Sequence, residues 1–152
     1  TAQGTGRRAV EGCLLTHVDG NCLSVNGYHR NLSGTGSEFA LVGESAIALW
    51  GFTEQGRGGG SVALPRGVGI DGTGGEQPRG TLIEGNIVRE VGLVQKQASA
   101  LFQATSCQTR VQRNVFYNGP RAMINLNDQF GGSNLVSGNL MANSCRELQT
   151  TV

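Results

Sequence analysis

A short phrase recurs along this chain roughly every 25 residues, and a fixed period in the twenties points to a solenoid before anything else. It reads Gly-Asn-Ile-Val at Gly85–Val88, Arg-Asn-Val-Phe at Arg113–Phe116 and Gly-Asn-Leu-Met at Gly138–Met141, with fainter copies at Gly36–Phe39 and Gly12–Leu15. Taking Cys13, Ser37, Asn86, Asn114 and Asn139 as equivalent, the steps are 24, 49, 28 and 25 residues. The long step is either two coils or one coil with an insertion.

Two residues after this reference position stand Leu15, Phe39, Val88, Phe116 and Met141, all apolar and of core size. Three residues before it stand Val10, Gly34, Ile83, Val111 and Val136, and the residues following these, Glu11, Thr35, Glu84, Gln112 and Ser137, are polar. Such alternation is that of strands with one face inward, broken by a Gly-Asn corner. Asn suits the corner because it tolerates left-handed backbone and its amide bonds neighbouring backbone groups, so Asn86, Asn114 and Asn139 are expected to stack as a ladder. A weaker polar corner follows four residues on, at His17, Glu90, Asn118 and Asn143. A further apolar segment closes each coil: Leu23–Val25, Ile47–Leu49, Ala100–Phe102 and Met123–Leu126. No stretch carries a helical period, and the 25 glycines disfavour helix.

The Asn-x-apolar-x-x-Asn-Gly pattern at Asn114–Gly119, with its relatives at Asn86 and Asn139, resembles the repeat of right-handed parallel β-helix proteins of the pectin-lyase-like superfamily. The resemblance spans roughly Val10 to Cys145. It implies an all-β, right-handed parallel β-helix of about five or six coils in one domain over residues 1–152, with a Gly-rich inserted loop at 51–80. The final segment, Glu147 to Val152, carries no amphipathic cap for the last coil, and the expectation is a piece of a longer chain, with missing flanking coils or end-to-end assembly.

Composition narrows the function. Charged residues make up 15% of the chain and net charge is +1, with Lys96 the one lysine, so there is no electrostatic case for nucleic acid or an anionic membrane. No apolar run is long enough for a membrane helix. Cys13, Cys22, Cys107 and Cys145 allow two disulfides in three connectivities, but Cys13 and Cys22 fall in columns expected to be buried. Their spacing shows no metal pattern.

Between Gly51 and Gly80 the repeat vanishes and eleven of thirty residues are Gly. Gly67–Gly72 fits G-x-G-x-x-G, yet Thr-Gly-Gly-Glu-Gln-Pro follows, which cannot open the helix that a dinucleotide site needs. The same residues partly match a Ca²⁺-binding nonapeptide repeat through Asp71, in a single copy.

Polar groups gather in equivalent turns: Asp19 and Glu44 in the first two coils, Lys96 and Gln97 in the coil of Asn86, and Arg121 in Glu44's column. Asp128 follows in Asn125-Leu-Asn127-Asp-Gln129. Many pectin-lyase-like proteins bind or cleave acidic polysaccharides, so the resemblance implies a carbohydrate-engaging protein, with a uronic-acid lyase acting by β-elimination as its enzymatic form. In such lyases a cation neutralises the uronate carboxylate, which stabilises the developing charge, and an Arg or Lys of depressed pKa removes the adjacent proton. Arg121 and Lys96 are the candidate bases. Asp128, Asn125, Asn127, Gln97 and Tyr117 are candidate substrate contacts, and Asp19 and Glu44 candidate oxygen ligands for Ca²⁺. A hydrolase needs facing carboxylates, and Asp occurs only at 19, 71 and 128. The competing expectation is a non-catalytic structural or adhesion solenoid of the cell surface or extracellular matrix. Trp50, Tyr28 and Tyr117 are its possible sugar platforms, and Asn31-Leu-Ser33 its one glycosylation sequon.

Overall fold

The computed structural model describes residues 8–51, 77–127 and 132–145. Strands, numbered in chain order, fall into three main parallel sheets. Sheet A holds β1 (Arg8–Glu11), β5 (Leu32–Thr35), β9 (Leu82–Glu84), β12 (Arg110–Gln112) and β15 (Leu135–Ser137). Sheet B holds β2 (Leu14–Val18), β6 (Glu38–Val42), β10 (Ile87–Val91), β13 (Val115–Tyr117) and β16 (Leu140–Ala142). Sheet C holds β3 (Leu23–Asn26), β7 (Ile47–Trp50), β11 (Leu101–Ala104) and β14 (Ile124–Asn127). The chain passes A, B, C and repeats, which is an all-β solenoid of parallel sheets. A small sheet, β4 (His29–Arg30) with β8 (Pro78–Arg79), lies at the corner between C and A.

The register matches the repeat residue for residue. Leu15, Phe39, Val88, Phe116 and Met141 pair in succession across sheet B. Val10, Gly34, Ile83, Val111 and Val136 do so across sheet A. Because Glu38 pairs directly with Ile87, the 49-residue step is one coil carrying an insertion, not two coils. The insertion's interior, residues 52–76, lies outside the described residues, as do the Gly67–Gly72 motif and Asp71.

Inward columns from the three sheets form one core, including Phe39, Val88, Phe116, Ile83, Val111, Ile47, Leu49 and Leu101. Gly34 belongs to an apolar column because a Cβ there would sit 3.3 Å from Ile83 Cδ1, so the missing side chain makes room for its neighbour.

The corner between A and B is an amide ladder. The Asn86 and Asn114 backbone N–H groups donate to the side-chain Oδ1 of Asn114 and Asn139, both at 2.9 Å. The side-chain amides of Asn86 and Asn114 donate to the same two oxygens, at 3.0 and 2.9 Å. Ser37 N–H donates to Asn86 Oδ1 at 2.9 Å, and Cys13 N–H to Ser37 Oγ at 3.1 Å, so the ladder runs through all five equivalent positions. The left-handed residue is not the Asn, as expected from sequence, but the one before it: Gly12, Gly36, Gly85, Arg113 and Gly138 all have φ between 52° and 65°. The Asn is thereby released to serve as the rung.

At the second corner His17, Glu90, Asn118 and Asn143 are left-handed, and so is Leu41, which the polar pattern concealed. Asn143 Nδ2 donates to Asn118 Oδ1 at 2.6 Å, and Asn118 Nδ2 donates to Glu90 Oε1.

All four cysteines are free thiols. Cys22 lies half-buried against the core, and burial pushes its pKa up. Cys13, expected to be buried, is exposed because it stands in the outermost coil with no further coil beneath it among the described residues.

Candidate functional site

Each coil turns from sheet B into sheet C through residues that stack from coil to coil. Gly43 N–H donates to Val18 O at 2.7 Å, Glu44 N–H to Gly20 O at 3.3 Å and Gly92 N–H to Glu44 O at 3.0 Å. Two coils beyond Gly92, Cys145 N–H donates to Arg121 O at 3.2 Å. This row carries Asp19, Glu44, Lys96, Gln97 and Arg121, as their spacing suggested. Asp19, Gln97 and Arg121 are exposed, whereas Glu44 is half-buried and its Oε2 accepts from Asn21 Nδ2 at 2.8 Å. Lys96 Nζ donates to Leu93 O at 3.0 Å, and Gln97 N–H to Gln95 Oε1 at 3.2 Å, so both belong to their own turn's bonding.

Asn21 does more than hold Glu44. Its Oδ1 accepts from Ser45 N–H at 3.1 Å, and Ser45 Oγ accepts from Ser99 N–H at 3.0 Å, a further ladder at the entrance to sheet C. Mixed Asn and Ser rungs hid it from a search for one repeated residue. No three His, Cys, Asp or Glu side chains converge as metal ligands among the described residues. Asp19 and Glu44 are the two carboxylates of this row, one of them engaged by Asn21, so a Ca²⁺ ion here would draw its remaining oxygens from carbonyls and water.

Beside this row lies the outer face of sheet C. Register puts Ser24, Ala48, Phe102 and Asn125 in one outward column, and Asn26, Trp50, Ala104 and Asn127 in the next. Trp50 and Phe102 are diagonal neighbours whose ring centroids lie 4.8 Å apart at an interplanar angle of 35°. They form a continuous aromatic ridge, and the small residues beside them, Ala48 and Ala104, are each only 1% exposed. Trp50 itself remains 40% exposed. Asn125 and Asn127 stack directly on Phe102 and Ala104, and Asn26 flanks Trp50 on the other side.

The structure therefore brings Asn125 and Asn127 together, as the sequence suggested, and joins to them Trp50 and Phe102. Phe102 carried no signal because an aromatic at the end of an apolar segment reads as core until the register fixes which way it points. Tyr117 faces outward too, but from sheet B beside Arg89, on the far side of the turn row from Asn125. Arg89 in turn bonds Glu38 at 2.7 Å, and that hydrogen bond raises its pKa. Tyr28 lies at the corner after β3 with the Arg30 guanidinium 3.9 Å from its ring centroid, so one ring face is already covered. Asp128 lies outside the described residues.

No protein-family model, curated protein or solved structure matches the chain. What can be assigned rests on the geometry: a parallel solenoid with an aromatic ridge set among amides on one sheet, rimmed by a row of charged turns.

Proposed function

We propose that this chain is a right-handed parallel β-helix of the pectin-lyase-like kind whose sheet C outer face binds carbohydrate, and that it acts as an extracellular or cell-surface binding module. The observation that carries the reading is the Trp50–Phe102 ridge with Trp50 40% exposed and amides on both sides. Sugars present C–H faces that pack on aromatic rings and hydroxyls that both donate and accept. An Asn side chain matches those hydroxyls, offering two donors and a carbonyl acceptor. A rigid sheet holds these groups in place, so little conformational entropy is lost on binding.

The catalytic form of this reading, β-elimination on a uronic-acid polymer with Arg121 or Lys96 as base, draws support from their shared place in the turn row. It draws less from their surroundings. Lys96 Nζ is bonded to Leu93 O, and no three His, Cys, Asp or Glu side chains gather as metal ligands among the described residues. Binding without cleavage is the better-supported reading.

The test is a glycan-array and polysaccharide pull-down survey of the protein beside its Trp50→Ala variant, with ultraviolet absorbance followed for the conjugated double bond that a lyase would generate. Retention on at least one glycan, lost in Trp50→Ala and unaccompanied by new absorbance, is the expected result. Retention on none refutes the binding function, and new absorbance replaces it with the lyase.

A further inference from the structure

Resting on the carbohydrate reading above, we infer that the sheet C face takes a neutral glycan laid along the stack of coils, and not a uronic-acid polymer. The outward positions that offer contacts are Ser24, Asn26, Trp50, Phe102, Asn125 and Asn127, and none is charged. A uronate chain carries one carboxylate per sugar. Docked on this surface, each carboxylate would lose water and meet only amides and rings, an unfavourable exchange for an unpaired charge. Carboxylate recognition is instead the work of Arg and Lys, above all of bidentate guanidinium forks.

Several charged groups that border the face are held by the protein itself, while Asp19 and Arg121, both exposed in the turn row, are opposite in charge and lie outside the contact columns. On one border, Glu44 accepts from Asn21 at 2.8 Å and Lys96 donates to Leu93 O at 3.0 Å. On the other, Arg30 lies 3.9 Å from the Tyr28 ring centroid and donates to His29 O at 2.9 Å. A face whose contact positions are all uncharged is complementary to an uncharged ligand.

The direction of the ligand follows from the register. Trp50, Phe102 and Asn125 lie on three successive coils, β7, β11 and β14, each about 4.8 Å from the next. A linear chain running along the solenoid axis meets one contact per coil. A chain running parallel to the strands would leave the ridge after Trp50 or Phe102 and pass over the charged turns.

Calorimetric titration of the intact protein decides the matter, using neutral cello-, manno-, xylo- and galacto-oligosaccharides of six sugars and hexagalacturonate as the charged probe. The expected result is binding of at least one neutral oligosaccharide. Its affinity should be unchanged between low salt and ~0.5 M NaCl, where surface charges are screened. Hexagalacturonate should bind at least about tenfold more weakly, a difference of about 1.4 kcal/mol. Trp50→Ala and the exposed Asn127→Ala should each weaken neutral binding, the former about tenfold. Asn127→Ala keeps the test valid should loss of Trp50 disturb folding. Tighter binding of hexagalacturonate, weakened by salt, overturns the inference and leaves the carbohydrate reading standing. Absence of binding to every probe overturns the carbohydrate reading and this inference with it.

Discussion

Removing the middle rung of the asparagine ladder should cost far more than removing its last. Asn114 is 1% exposed, and its side chain makes four hydrogen bonds. Its Oδ1 accepts from Asn86 N–H at 2.9 Å and Asn86 Nδ2 at 3.0 Å, while its Nδ2 donates to Ile83 O at 3.0 Å and Asn139 Oδ1 at 2.9 Å. In Asn114→Ala, Asn86 Nδ2 keeps Gly34 O and Asn139 Oδ1 keeps the Asn114 backbone N–H. Asn86 N–H, however, is left buried without an acceptor, at about 1–3 kcal/mol. Adding about 1 kcal/mol for each of the three other bonds lost brings the expected destabilisation to about 4–6 kcal/mol. Asn139 is half-exposed, so water replaces its side chain and Asn139→Ala should cost only about 1–2 kcal/mol. Urea unfolding, followed in parallel by far-ultraviolet circular dichroism and by the emission of the single tryptophan, measures both. Equal costs for the two variants, or an Asn114→Ala cost below about 1 kcal/mol, would refute the reasoning that burial of the rung sets its worth.

Other expectations follow from individual positions. Gly43→Ala should prevent normal stacking of the first two coils, since a Cβ there would collide with the carbonyl oxygen of Asp19; a melting temperature within a few degrees of wild type would contradict this. With a thiol reagent under native conditions, the exposed Cys13 and Cys145 should react first and Cys22 more slowly, because burial both shields it and raises its pKa; peptide mapping of the labelled protein gives the order, and Cys22 leading would refute it. Burial, with Arg8's charge adding to it, lowers the pKa of His29 in the folded state from an ordinary value of 6.5. The unfolded chain then binds the extra proton more readily, so stability falls as pH drops through that value and levels off below the folded pKa. Urea midpoints across this range should show a component that disappears in His29→Gln, and identical profiles for the two proteins would exclude it.

The repeat made most of the fold legible because each inward column is read by every coil at once. A residue such as Val88 must fit Phe39 on one side and Phe116 on the other, and that mutual constraint leaves a pattern in the sequence. The same logic placed Asp19, Glu44, Lys96, Gln97 and Arg121 in one row of turns. What escaped was chemistry shared between unlike residues. Leu41 adopts the left-handed conformation of its column because the neighbouring coils impose it, although Leu has no local preference for it. The ladder of Asn21, Ser45 and Ser99 needs only an oxygen and an N–H at each level, so no single residue type marks it. The aromatic ridge escaped for another reason. Trp50 and Phe102 become diagonal neighbours only because the insertion between β7 and β11 leaves the register of sheet C intact. Tyr117, outward in the same alternation, falls on a different sheet from Asn125 and Asn127, a separation that column phase alone does not reveal.

The sheet C face is the proposed carbohydrate site, and Trp50 is both its proposed platform and the chain's only tryptophan. Its fluorescence during titration with the tightest-binding glycan is therefore the most direct measurement. The expected result is a saturable change in Trp50 emission whose midpoint matches the calorimetric affinity, and which weakens in Phe102→Ala and Asn127→Ala. Calorimetric binding with Trp50 emission unchanged would place the ligand elsewhere on the molecule and contradict it.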